Sequence, residues 1–313
     1  MTGRVLVTGA SGFIGRDLVV RLARAGWQVR AAAREPLIVD AGAGVEAAVL
    51  PDLSTAVDWR GLVDGVTHVV HLAGIAHATQ TIPDATYHAV NAAAVGTLAV
   101  AARNAGVSRV VMMSSIRAQC GATAEGVVTE ARVPAPDDAY GRAKLAGERL
   151  LAEALSDGAT DWCVLRPVLV YGPRVKGNMG ALLRIARMPL PLPLGGLAGR
   201  RSLLGLANLE AAVLHAMGSA GASRTTCLLA DPEALTVPRI VAAMRAGMGR
   251  GRGIVNVPSP PLKLAAALVG QRAAWDRIAG DLVVSTARLE ATGWRPVETA
   301  EQGIARWMRE GGA

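Results

Sequence analysis

The stretch Thr8-Gly9-Ala10-Ser11-Gly12-Phe13-Ile14-Gly15 constrains this chain more than any other. It follows a short apolar run, Arg4–Thr8, and opens a helical pattern over Phe13–Ala25, so its glycines sit at the turn between a strand and a helix. The first glycine permits a sharp turn, the second lets a pyrophosphate approach the backbone, and the third lets the helix pack close to the strand. The first turn of that helix also carries N–H groups without intrahelical acceptors, which suit an anion. The loop is expected to cradle a dinucleotide, with Gly9, Ser11, Gly12, Phe13, Ile14 and Gly15 around the phosphates.

The first half of the chain repeats that alternation. Strands are expected at Arg4–Thr8, Gln28–Ala33, Glu46–Leu50, Thr67–Ala73, Ser108–Ser115 and Asp161–Val168, with helices clearest at Phe13–Ala25, Asp84–Ala105 and Ala139–Ala154. Near-continuous apolar strands alternating with helices predict an α/β fold, a doubly wound parallel sheet covered on both faces. The 313 residues, 51% of them hydrophobic, suffice for a large core, and with aromatics at only 3% small residues fill it. After about Val170 the pattern changes: "GPRVKGN" reads as loop and "MPLPLPLGGLAGRRS" as irregular, with later helices at Pro238–Met248, Pro261–Val269 and Thr299–Met308. A first unit over 1–170 and a smaller, irregular one mainly over 171–313 are expected, with the chain crossing between them.

Net charge is +8, and 30 of the 33 basic residues are arginine. They are scattered, with no basic run longer than two and no nucleic-acid module, so no nucleic-acid partner is expected. Cys120, Cys163 and Cys227 have no paired spacing, which excludes a disulfide framework or a zinc knuckle, and no metal is expected. The N-terminus lacks a signal-peptide pattern and no uncharged apolar stretch reaches the roughly 18 residues of a membrane span. A cytoplasmic protein without a membrane partner is the expectation.

The residue that reads the adenosine ribose belongs at the end of the second strand, about 20 residues beyond the glycines. Ala33 stands where an acid would favour NAD, and Arg34 follows, which can pair with a 2′-phosphate. NADP(H) is therefore expected in preference to NAD(H). Asp52, with Leu53 beside it, follows the third strand and could accept from the adenine amino group. Leu72, Ala73 and Gly74 end the fourth strand near the pyrophosphate and ribose, and Asn91 lies in the next helix.

"DAYGRAKLAGE" places Tyr140 and Lys144 four apart on one helix face. With three tyrosines and three lysines in the chain, chance supplies about 0.03 such pairs. A phenol is a poor base at neutral pH, but a neighbouring ammonium and a nicotinamide cation would stabilise its phenolate. Lys144 could also hold the nicotinamide ribose, while Ser115, ending the fifth strand, would donate to the same substrate oxygen as Tyr140. His77, His88 and His215 read as structural, since none has a partner or a proton to move.

Thr8–Gly15, Ser115, Tyr140-Gly-Arg-Ala-Lys144 and "LRPVLVYGP" (Leu165–Pro173) resemble the extended short-chain dehydrogenase/reductase superfamily, and more narrowly its nucleotide-sugar epimerases, dehydratases and reductases. The glycine spacing is the variant those dehydrogenases share. The resemblance covers almost the whole chain and implies a Rossmann domain with a sugar-nucleotide lobe, catalytic Ser115, Tyr140 and Lys144, and cofactor contacts that include Ser114 and Pro167. It also implies substrate contacts: Asn178 and Arg201 near the diphosphate, Arg277 as a further candidate and Arg117 near the sugar. The family's dehydratases carry Asp-Glu after the catalytic hydroxyl; Ile116-Arg117 stands here, which disfavours 4,6-dehydration. Cys120 replaces a tyrosine of many 4-epimerases without excluding epimerisation.

"SSIRAQCG", "VKGN", "PLPLGGLAGRRSLL" and "ATGWRP" are most similar to a bacterial subgroup handling UDP-4-keto-6-deoxyhexosamines for surface polysaccharide. A UDP-4-keto-6-deoxyhexosamine 4-reductase consuming NADPH therefore ranks slightly ahead of a UDP-hexose or UDP-hexosamine 4-epimerase. A reductase of non-sugar ketones and a non-catalytic dinucleotide-binding protein stand behind them; relatives of the last kind commonly lose the tyrosine or the lysine. The resemblance further implies a homodimer built on the helices at Asp84–Ala105 and Ala139–Ala154.

Overall fold

Val5, Leu6 and Val7 of β1 (Arg4–Thr8) have no exposed surface, as a strand covered on both faces requires. The computed structural model describes residues 3–35, 44–76, 82–175, 177–258, 263 and 279–311. β1 is joined by β2 (Gln28–Ala33), β3 (Val45–Val49), β4 (His68–His71), β5 (Arg109–Met113), β7 (Asp161–Pro167) and β11 (Thr225–Leu229) in one seven-stranded sheet. The order is β11-β7-β5-β4-β1-β2-β3, and every neighbouring pair is parallel. The chain moves outward from β1 to β3, then returns to β4 on the other side of β1. That reversal is the topological switch point, where the carboxyl ends of the strands open a crevice.

The pleat divides the strand residues between two cores. Val5 and Val7 face one core with Leu18, Val19 and Leu22 of α1 (Gly15–Arg24) and Leu209, Val213 and Met217 of α7 (Leu206–Gly218). Leu6 faces the other with Trp59, with Val63 of α2 (Arg60–Val63), with Leu98 of α4 (Ala94–Asn104) and with Leu151 of α5 (Ala139–Ala154). α3 (Asp84–His88) reaches α4 through a π turn at Ala89–Ala93. The helices expected at Asp84–Ala105 and Ala139–Ala154 are thus present, the first with this local widening.

A third core lies wholly beyond residue 170. It joins Tyr171, at the end of β8 (Leu169–Tyr171), to α6 (Gly177–Arg187), α8 (Val237–Gly247) and α10 (Ala300–Arg309). Short pairings link β8 to β10 (Leu203–Gly205), β9 (Arg200–Arg201) to β12 (Leu235–Thr236), and β6 (Val127–Val128) to β13 (Val283–Val284), after which α9 (Ala287–Ala291) follows.

Three elements correct the sequence reading. β11 adds a seventh strand from the C-terminal half, because its five residues reveal their partner β7 only in three dimensions. α7 was not expected: it buries eight of thirteen residues, so its apolar positions do not form one stripe. α6 begins at Gly177, inside a stretch that reads as loop. The expected helix at Pro261–Val269 lies, Lys263 apart, outside the described residues. Among the described residues, no helix is long and apolar enough to cross a membrane.

Candidate active site

The glycine turn has the geometry its spacing predicts. Gly9 adopts φ +70°, and a Cβ there would come within 2.8 Å of the Ala73 nitrogen, so only glycine lets the turn lie against the end of β4. A Cβ on Gly15 would press on Gly9 and Ala10, which brings α1 close under the turn. Gly12 differs: its Cβ would meet only the Gly9 oxygen, at 3.1 Å, and otherwise faces open space. No side chain caps the start of α1. A backbone cradle that is tight behind and open in front, at an uncapped helix start, fits a pyrophosphate.

Thr8 ties this turn to β4. Its hydroxyl accepts from the Ala73 N–H at 3.2 Å and bonds His71 Nδ1 at 2.9 Å. Burial holds His71 down to about pKa 3, so the ring is neutral. At Gly74 a Cβ would sit 2.6 Å from Asn91 Oδ1 and 3.2 Å from Lys144 Nζ, so Gly74 brings the lysine head and the β4 loop together.

Ser115 lies just beyond β5, where its Oγ accepts the Arg117 N–H at 3.2 Å and hydrogen-bonds Tyr140. Tyr140 is the second residue of α5, whose N-cap, Asp138, accepts the Gly141 N–H at 2.7 Å. Lys144 follows one turn later, buried, its Nζ donating to the Met113 carbonyl at 3.1 Å. The three side chains expected to act together therefore converge at the carboxyl edge of the sheet, beside the glycine cradle. Burial raises the Tyr140 pKa, and Asp138 and Tyr87 add to this, while the Ser115 hydrogen bond and the Arg117 charge oppose it. Lys144 is itself pushed down to about 8 by burial, against the opposing charge of Glu148.

A model of the NAD dependent epimerase/dehydratase family matches residues 5–224. The chain belongs to that family. It is an NAD(P)-dependent enzyme of the extended short-chain dehydrogenase type, and its sheet is the family's Rossmann sheet. It is 29% identical over 311 residues to a UDP-glucose 4-epimerase of Vibrio cholerae, spanning 97% of this chain and 94% of that one. A ceramide reductase of Caulobacter vibrioides is 27% identical over 268 residues, 85% of this chain and 77% of that one. Among solved structures, MoeE5 in complex with UDP-glucuronic acid and NAD is 25% identical, with a TM-score of 0.76 over 98% of this chain and 99% of that one.

Several other expected site residues also make contacts within the chain. Asn91 is fully buried and clamps Ile75, donating to its carbonyl at 2.9 Å and accepting its N–H at 3.0 Å, which shapes the β4 loop. Ser114 turns its hydroxyl to Glu148. Arg117, expected at the sugar, spends one guanidinium nitrogen on Asp137 at 2.6 Å and Asp138 at 2.7 Å. Arg201 donates to the carbonyls of Ala122 at 3.0 Å and Gly280 at 3.2 Å, which ties it to the loop beyond the Ser115 turn. Asn178 lies in the first turn of α6 with its side chain outside what is described, and Arg277 and His77 lie outside the described residues. Arg34 and Asp52 are exposed beyond β2 and β3, and Asp52 is held below the usual carboxylate range by Ser54 and, more weakly, by Arg34. Leu53, Ala73 and Pro167 are buried and Leu72 half-buried, all just beyond or at the ends of their strands. His215 bonds Thr292 at 2.8 Å, a structural pairing.

One group was missed. Glu148 and Arg166 form a buried ion pair, with Nε to Oε1 at 2.9 Å; Ser114 donates to Glu148, Arg166 also donates to Gln119, and Gln119 in turn to the Arg132 carbonyl. This network sits behind Ser115 and Lys144. Its one sequence signal is the continued spacing of four, Tyr140, Lys144, Glu148.

Proposed function

We propose that the enzyme transfers hydride reversibly at C4 of a nucleotide-activated sugar. The observation that carries this reading is the Ser115–Tyr140 hydrogen bond, with Lys144 one turn away, at the edge that also holds the glycine cradle. Tyr140 moves the proton of the C4 oxygen, and Ser115 donates to the same oxygen and orients it. The Ser115 oxygen already accepts the Arg117 N–H, which leaves its own proton for that task. Gly9 to Gly15 hold the pyrophosphate, and Lys144 and the Gly74 loop hold the nicotinamide ribose. The nicotinamide, when bound, supplies or accepts the hydride.

Arg34, exposed where an acid would select NAD, supports NADP(H) and with it reduction of a UDP-4-keto-6-deoxyhexosamine for surface polysaccharide. The near-full-length similarity to a UDP-glucose 4-epimerase supports the second reading, 4-epimerisation of a UDP-hexose or UDP-hexosamine. In either case we take 1–170 as the cofactor unit and 171–313 as mainly the substrate unit, with Arg201 on the diphosphate side, in a cytoplasmic homodimer. The test is mass spectrometry of nucleotide released from the protein, followed by panels of UDP-sugars and UDP-4-keto-sugars. NADPH consumed in step with a 4-keto sugar supports reduction, and turnover without added cofactor supports epimerisation. Activity confined to lipid ketones, or unchanged sugar turnover in Tyr140→Phe, would refute the proposal.

A further inference from the structure

Arg117 is largely buried. Its side chain is 17% exposed, and its Nη1 is buried without a hydrogen-bond partner. Its Nη2 bridges Asp137 and Asp138, and Asp138 is the N-cap of the helix that carries Tyr140. Its backbone N–H meets the Ser115 hydroxyl. Its carbonyl lies so close to Gly141 that a Cβ there would collide with it, coming 2.9 Å from the carbonyl carbon and 3.0 Å from Pro136 Cβ. One residue thus touches the turn that carries Ser115 and the helix start that carries Tyr140, at three points: N–H, carbonyl and guanidinium.

We propose that Arg117 is a positioning residue, locking the Ser115 turn onto the start of α5 so that the two hydroxyls align, and neutralising the carboxylates beside the phenol. As a mechanistic role this rests on the proposed chemistry of Tyr140; as a statement of geometry and charge it does not. The groups that face the phenol are Ser115 and Arg117 from the turn, Asp138 from the helix cap and Tyr87 from α3, with Lys144 one turn further along α5. Of these, the Asp138 charge raises the phenol's pKa and the Arg117 charge lowers it. An opposite charge beside a titrating group favours its ionised form.

The test reads the phenol without cofactor or substrate. Tyrosinate absorbance is followed at alkaline pH, circular dichroism confirms the fold, and the Tyr140→Phe curve is subtracted to isolate Tyr140. In Arg117→Gln, which keeps an amide donor but loses the charge, the ionised fraction of Tyr140 at fixed pH should fall by about tenfold. In Arg117→Lys it should stay within about threefold of the parent. Adding Asp138→Asn, which preserves the helix cap, should restore most of the loss. If Arg117→Gln does not fold, the same comparison is made between Asp138→Asn and the double variant. No change in Arg117→Gln, or an equal fall in Arg117→Lys, overturns the proposal. Failure of the sugar panels would refute the proposed function and leave this titration readable, so the two failures are distinct.

Discussion

Lys144→Met should stabilise the fold while abolishing turnover. Burial holds Lys144 at about 8 where an exposed lysine titrates at 10.5. Below about pH 8 both folded and unfolded chains carry the proton, and the folded state bears the full cost of a buried ammonium, about 3 kcal/mol. Between about 8 and 10.5 the unfolded chain binds the proton more tightly, so stability rises with pH and the cost fades. Methionine removes that cost and also removes the hydrogen bond to the Met113 carbonyl, a loss of about 1 kcal/mol. The variant should therefore be about 2 kcal/mol more stable at neutral pH, and by about pH 10.5 the sign should reverse to about 1 kcal/mol less stable, the lost hydrogen bond alone remaining. Urea unfolding at both pH values, with unchanged m, measures it. A variant less stable than its parent at neutral pH, or a gap independent of pH, would refute the assignment of Lys144 as a buried, costly charge. A functional lysine that weakens its own fold is the expected trade between activity and stability.

Gly9→Ala should weaken dinucleotide binding at least tenfold and cost about 1–3 kcal/mol, because φ is +70° and the new Cβ would meet Ala73; calorimetric titration with cofactor and thermal melting check both. Arg34→Ala should reduce the preference for NADP over NAD about tenfold in kcat/KM, and an unchanged ratio would remove the case for a 2′-phosphate contact. Glu148→Ala leaves Arg166 buried and unpaired and should cost about 3–5 kcal/mol in urea unfolding, a far larger loss than at the exposed Arg239–Glu301 pair.

The sequence was most legible where a conformation is encoded within a few residues. β1, β2 and α5 were read to the residue, because a short continuous apolar run and helix capping are local patterns. It was least legible where burial blurs the pattern, as in α7, or where a short segment depends on a distant partner, as in β11 pairing with β7. Among the site residues, those on the glycine turn, Tyr140 and Lys144 follow from spacing, and Ser115 from its place at the end of the fifth strand and the family resemblance. The tasks of Asn91, Ser114 and Arg117 do not, since each is set by a group from elsewhere in the chain: Ile75, Glu148 and the Asp137–Asp138 pair.

The sequence by itself determined the glycine cradle, the strand–helix alternation and the spacing that puts Tyr140 and Lys144 on one helix face. Steric limits on φ and the helical repeat act over a few residues, so these are written locally. The tertiary structure alone decided the charges. That burial pushes Lys144 down to about 8, that burial raises Tyr140, and that the Arg117 charge opposes that rise all depend on burial and on the partners each side chain meets. Desolvation and Coulomb energy are set by surroundings assembled from across the chain, and no local spacing encodes them.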